Sequence, residues 1–128
     1  MGRAPVRLLL DSVVLIDHFN GVSQATRYLE RSRDQAAISV ITRAEVLSGF
    51  DESGAVAARR LLDCFPTLPI DKAAADLAAR LRRENRWKLP DALQAALAQR
   101  NSLRLVTRNT KDFPPSRWPF VLVPYRVG

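Results

Sequence analysis

Cysteine and histidine are almost missing from this chain, which holds one of each in 128 residues. A single cysteine excludes an intrachain disulfide framework and a cysteine-built zinc site. Cys64 lies in the apolar run Leu61-Leu62-Asp63-Cys64-Phe65 and reads as a small buried hydrophobe. A single histidine excludes acid–base catalysis by a histidine pair. His18, beside Asp17, reads as a helix-face residue rather than a ligand. Long hydrophobic runs are also missing. The apolar stretch from Val13 to Ile16 is bracketed by Asp11 and Asp17, too short for a membrane span or a signal peptide. A cytoplasmic protein with no membrane association is therefore expected. There is no G-x-S-x-G elbow, no G-x-x-x-x-G-K-[ST] loop and no G-x-G-x-x-G turn, so those hydrolase and nucleotide-binding classes fall away. Val13 stands where an aspartyl-phosphatase nucleophile pair would need its second Asp.

Acids are scarcer than bases, 13 against 20, and the net charge of +7 favours a polyanionic partner. Length and composition suit one globular domain over residues 1–128. Strand-like and helical stretches alternate. Residues 7–11 read as a buried strand ending in a carboxylate, and 13–19 as a short helix. Ala25, Tyr28 and Leu29 put a helix over 23–33. Residues 36–41 are apolar and β-branched enough for a second strand. Thr42 then opens a helix that Gly49 stops. A helix over 55–65 ends at Pro66, and a third strand follows at 67–70. Asp71 caps an Ala-rich helix over 72–85. Pro90 starts another helix that runs to residue 100. Strands over 103–107 and 120–124 flank a proline-bounded loop. Such alternation predicts an α/β fold: a mostly parallel central sheet of four to five strands, covered by helices on both faces. Ligands in such sheets bind at the carboxyl ends of the strands.

Four acids point to that rim. Asp11 ends the first strand, Glu45 follows the second, Asp91 opens the helix after Pro90, and Asp112 follows the strand ending at Thr107. Each has a purely structural alternative. Asp11 can cap a helix, Thr42 and Glu45 can form a capping box, Asp91 can complement a helix dipole, and Asp112 can hold a turn. Gathered at one rim, four carboxylates repel unless a cation lies among them. Mg²⁺, or Mn²⁺, prefers such oxygen ligands.

The segments Leu8-Leu9-Leu10-Asp11-Ser12, Ile38-Ser39-Val40-Ile41-Thr42-Arg43-Ala44-Glu45, Leu89-Pro90-Asp91-Ala92-Leu93 and Leu105-Val106-Thr107-Arg108-Asn109-Thr110-Lys111-Asp112-Phe113 resemble, in order, the motifs of the PIN-domain family. Within it, the chain is most like the VapC-type toxins of bacterial type II toxin–antitoxin modules. The resemblance spans nearly the whole chain and implies a three-layer α/β/α PIN-like fold. It implies a Mg²⁺-dependent endoribonuclease, with attack by a metal-activated water leaving 5′-phosphate and 3′-hydroxyl ends. It also implies inhibition by a VapB-type antitoxin, and homodimers. On the family's pattern Asp11 and Asp91 are the principal metal ligands, Glu45 joins them directly or through water, and Ser12 orients Asp11. Asn109 and Asp112 compete for the fourth place, and Asp112 is preferred because it adds charge. Val13 departs from the small polar residue common there.

Basic residues flank these motifs, from Arg80 to Lys88 and from Arg100 to Arg117. Arg43 and Arg108 are candidates to reach a substrate phosphate. Trp87, between Arg86 and Lys88, is expected either to stack on an unpaired base or to pack against its neighbouring helix. Two other readings remain: a non-catalytic PIN-like module that binds RNA or protein, and a DNA-cleaving nuclease.

Overall fold

The computed structural model describes residues 5–127, so both ends of the single domain expected over 1–128 lie outside the described residues. In chain order the elements are β1 (Leu8–Leu10), α1 (Ser12–Phe19), α2 (Ser23–Ser32), a 3-10 turn (Arg33–Gln35), β2 (Ala36–Ser39), α3 (Val40–Leu47), α4 (Glu52–Leu62), β3 (Thr67–Leu68), α5 (Lys72–Asn85), α6 (Leu89–Arg100), β4 (Arg104–Val106) and β5 (Val121–Leu122). The strands form one sheet in the order β3-β2-β1-β4-β5, and every pairing is parallel. The chain therefore winds outward from β1 to one edge, then returns to build the other half.

Parallel strands buried on both faces need apolar residues at successive positions. Leu9 and Leu105 enter one core, formed with Ala74, Ala78 and Leu81 of α5 and the alanines of α6. Leu10, Ile38 and Val106 enter the other, formed with Val14 and Leu15 of α1, Leu29 of α2, Val46 of α3 and Leu62 of α4. These are the three layers expected. Truncating a fully buried leucine such as Leu9 to alanine would cost about 2–5 kcal/mol.

Several boundaries depart from expectation, among them the third strand, which contracts from 67–70 to Thr67–Leu68 ahead of the Asp71 cap. The second strand ends at Ser39 and α3 starts at Val40. Ser39 Oγ accepts a hydrogen bond from Thr42 N at 3.1 Å, so Ser39, not Thr42, caps the helix. Val40 and Ile41 are β-branched, but a local cap outweighs that weak strand preference. The Thr42–Glu45 capping box does not form; the Thr42 hydroxyl donates instead to the Leu10 carbonyl at 3.3 Å. Helix α4 begins earlier than residue 55, because Asp51 accepts from Gly54 N at 2.8 Å. The last strand contracts to Val121–Leu122. Cys64 is only partly buried.

Helix α5 ends at Arg86, which takes a left-handed conformation with φ 57° and ψ 30°. That conformation turns the chain into α6 without a glycine.

Candidate active site

The strand order reverses between β1 and β4, so the chain leaving these two strands turns to opposite faces of the sheet, the place where such sheets bind ligands. Asp11 stands there, one residue past β1, and is 7% exposed. It is the N-cap of α1: Oδ1 accepts from the backbone N of Ser12 at 2.8 Å. Oδ2 accepts from the Thr107 hydroxyl at 2.7 Å, across from β4. Gln94 Nε2 approaches Oδ1 at 3.4 Å. Burial pushes the Asp11 carboxyl above its ordinary value, and these hydrogen bonds only partly oppose it. The helix-cap role and a site role therefore coexist in one side chain.

Beneath Asp11 lies a buried neutral floor. Gln94, 1% exposed on α6, donates to Thr42 Oγ1 at 2.6 Å and accepts from Ser39 Oγ at 2.7 Å. No buried side-chain polar atom lacks a partner among the described residues. Such a closed network fixes its members in one geometry.

Asp91 sits in the first turn of α6, half-buried. Its carboxyl is pushed up to about 6, first by burial, then by the negative charges of Asp11, Asp112 and Glu45, with Lys88 opposing. The fields of all four predicted acids therefore overlap at this residue. Asp112 is held by Asn109, whose Nδ2 donates to Asp112 Oδ2 at 3.0 Å and whose Oδ1 accepts from Asp112 N at 3.3 Å. Asn109 N in turn donates to Thr107 Oγ1 at 3.0 Å. Asn109 thus acts on Asp112 as a brace. Glu45 is exposed on α3, one turn farther into that helix than the sequence suggests.

Among the described residues, no three acid, imidazole or thiol groups stand close enough to make a finished metal cage. The donor chemistry still fits a hard dication. It consists of carboxylate oxygens, with the Asp11 carboxylate anchored by three hydrogen-bond donors, and at Asp91 the neighbouring acids add to burial in raising proton affinity, where a cation would relieve it.

The basic candidates fall elsewhere. Arg108 does not project free toward a phosphate. Its Nε and Nη2 donate to Asp17 at 2.6 and 2.9 Å, and Tyr125 donates to the same carboxylate at 2.8 Å. Arg43 pairs with Asp63 at 2.8 Å, an exposed contact of about 0.2–1 kcal/mol that a phosphate could displace. Trp87 is 5% exposed, donates from Nε1 to the Asp112 carbonyl at 3.0 Å and packs on Phe113 and Trp118. It braces the Asp112 loop and presents no face to a base. His18 bonds Thr26 Oγ1 at 2.8 Å and lies on a helix face, as read from sequence.

Sequence reasoning missed Gln94, Thr107 and Asp17. Gln94 carried a signal: a lone amide inside the alanine-rich run Ala92-Leu93-Gln94-Ala95-Ala96-Leu97-Ala98, one helical turn beyond Asp91.

The matches to known proteins follow this geometry. Residues 8–114, from the start of β1 through the Asp112 loop, match the PIN domain model. Ribonuclease VapC10 of Mycobacterium tuberculosis is 39% identical over 114 residues, 84% of this chain and 86% of that protein. A solved toxin–antitoxin complex from Klebsiella pneumoniae contains a chain 40% identical to this one, with a TM-score of 0.85 over 94% of this chain and 99% of that one. FitAcB from Neisseria gonorrhoeae, at 23% identity and a TM-score of 0.70 over 83% and 90% of the two chains, shares the fold. With the matched segment carrying Asp11, Glu45, Asp91 and Asp112 on one parallel-sheet rim, the chain belongs to the PIN-domain family.

Proposed function

We infer that this chain is a Mg²⁺-dependent endoribonuclease acting as the toxin of a toxin–antitoxin pair. The observation that carries this reading is Asp91, whose acidity is weakened first by burial and then by Asp11, Asp112 and Glu45, in the first turn of α6. Acids so arranged call for a cation, and a basic protein surface calls for a polyanion. The relative named Ribonuclease VapC10 supports RNA as that polyanion. The toxin–antitoxin complex at 40% identity supports an antitoxin as partner, which this reading takes to be VapB-type, acting on a homodimer.

Asp11 and Asp91 would hold the ion, with Glu45 and Asp112 contributing through their charge or through water. A dication bound there supplies Lewis acidity toward the scissile phosphate and a lowered pKa for water. The chain's own residues do the rest. Thr107 and the Ser12 amide keep Asp11 in place at the strand ends. Gln94 ties the same carboxylate to Ser39 and Thr42, so the site is rigid before substrate arrives. Glu45 or Asp112 would take the proton from the attacking water as its oxygen bonds to phosphorus, while the P–O3′ bond breaks and the 3′ oxygen leaves and is protonated from water, giving 5′-phosphate and 3′-hydroxyl ends. The 2′-hydroxyl of the substrate has no role as nucleophile.

Purified protein incubated with matched RNA and DNA strands, with Mg²⁺ or with EDTA, tests the reading. RNA cleavage only with Mg²⁺ is expected, and about 100-fold or greater loss in Asp11→Asn and in Asp91→Asn. Undiminished cutting by either variant contradicts the site. Preferential cutting of DNA makes the protein a deoxyribonuclease instead. Binding without any cutting makes it a non-catalytic module.

A further inference from the structure

The acid site accounts for one phosphate, yet an RNA strand continues past it. A groove of about 300 Å³ reaches Asp112, lined by Glu84, Arg86, Lys111, Arg117 and Trp118, with the buried Trp87 as its floor; Glu84 is paired with Arg80 at 3.8 Å, which leaves the three cations in excess. Arg86, Lys111 and Arg117 are exposed, and none of them enters an ion pair among the described residues. The Arg117 guanidinium lies over the Trp118 ring, 5.5 Å from its centroid. Trp118 is only half-buried, unlike Trp87 beneath it.

Arg86 supplies a second, independent observation. It caps α5 in the left-handed region, with φ 57°, where a residue without a Cβ is sterically favoured. It also lines a second depression, with Arg82 and Arg83 on the far side of Trp87. The left-handed turn ends α5, with Arg86 N donating to the Arg82 carbonyl, and leaves the Arg86 side chain exposed where the two depressions adjoin.

We propose that this groove is the subsite for the single-stranded RNA segment next to the scissile phosphate, with a base on the Arg117–Trp118 platform and flanking phosphates on Arg86 and Lys111. Flat cationic and aromatic surfaces stack on unpaired bases without regard to sequence, and unpaired cations release counterions from the strand. An acidic peptide would use the cations but not the platform. The subsite rests on the nuclease reading for its substrate, though its binding chemistry can be measured separately.

The test is fluorescence anisotropy of a labelled single-stranded oligoribonucleotide in EDTA, across a salt series, on the full chain. Arg86→Gly, Lys111→Ala and Arg117→Ala combined should weaken binding at least about tenfold and flatten the log–log salt slope by about 2. Arg86→Gly relieves the backbone conformation, so its melting temperature should hold or rise while RNA binding falls. Trp118→Ala should weaken binding about tenfold, and Trp118→Phe should restore most of it. Arg59→Ala, on α4 and remote from the groove, should bind as the parent does. Unchanged affinity and slope in the triple variant overturn the subsite, as does an equal loss in Arg59→Ala. Polyglutamate competing as well as RNA of equal charge also overturns it. A protein that cuts RNA with Mg²⁺ while the groove variants bind normally keeps the nuclease reading and loses this one. A protein that binds through the groove yet never cuts does the reverse.

Discussion

Asp11 and Asp17 stand at opposite ends of α1 with similar solvent exposure, 7% and 6%, although Asp11 lies far deeper among protein atoms. Their surroundings move them in opposite directions. Asp17 meets a bidentate guanidinium and a phenol, and Arg108, as hydrogen-bond donor, holds its carboxyl below the ordinary value against the effect of burial. Asp11 meets only neutral donors, and burial pushes it up. One carboxylate has its counter-charge inside the protein, joining α1 to the start of the Asp112 loop and to the C-terminal segment. The other is oriented by its neighbours but not neutralised. Asp11 is therefore the end of α1 at which the proposed Mg²⁺ would meet uncompensated negative charge.

Breaking the paired end should have the largest effect on the fold. Asp17→Ala strands a partly buried guanidinium and should cost about 2–4 kcal/mol, read by urea denaturation. A loss under 1 kcal/mol would mean that the pair is ornamental. Next comes the floor of the other end. Gln94→Leu leaves Ser39 and Thr42 without their amide and should cost about 1–3 kcal/mol. Because it also frees Asp11, Mg²⁺ affinity should drop about 10–100-fold, as for residues that orient metal ligands. Unaltered affinity would reduce Gln94 to a packing residue. Tyr125→Phe removes one hydrogen bond to Asp17 and should cost about 1 kcal/mol. Asp11→Asn should lie within about 1 kcal/mol of the parent without metal, since an amide can still accept from Ser12 and donate to Thr107. A large destabilisation there would make Asp11 a structural acid like Asp17.

The contrast also sets opposite pH trends. Asp91 and Asp11 have raised pKa values, so the metal-free fold binds more protons than the unfolded chain between their ordinary value and, for Asp91, about 6. Their contribution to stability should fall as pH rises through that window, and Mg²⁺ should reverse the fall. Asp17, with its lowered value, contributes stability above the ordinary carboxylate pKa and loses it as pH drops through the lowered one. Melting temperatures of Asp17→Asn and Asp91→Asn across pH 3–7 separate the two curves; parallel curves would refute the comparison.

This contrast also marks what could be read in the sequence. Asp11 and Asp91 were legible because a strand end and a Pro-Asp helix start place them by local chemistry alone. The layer order followed from alternating apolar runs. The Asp17–Arg108–Tyr125 cluster was not legible, because three distant segments meet only after the sheet closes. Arg108 read as a free cation beside a site, since its partner lies across the fold. Val40 and Ile41 read as strand because propensity is local, whereas Ser39 ends the strand through a hydrogen bond to Thr42. In the sequence Trp87 stood open between base stacking and packing, because its charged neighbours are only local; the left-handed Arg86 turns the chain so that Trp87 faces the core.

The most direct measurement of the account is calorimetric titration of Mg²⁺ into metal-free protein at pH 7, beside Asp91→Asn and Asp17→Asn. Binding by the parent, with at least about tenfold loss in Asp91→Asn and little change in Asp17→Asn, is the predicted result. Equal affinity in the parent and Asp91→Asn would contradict it.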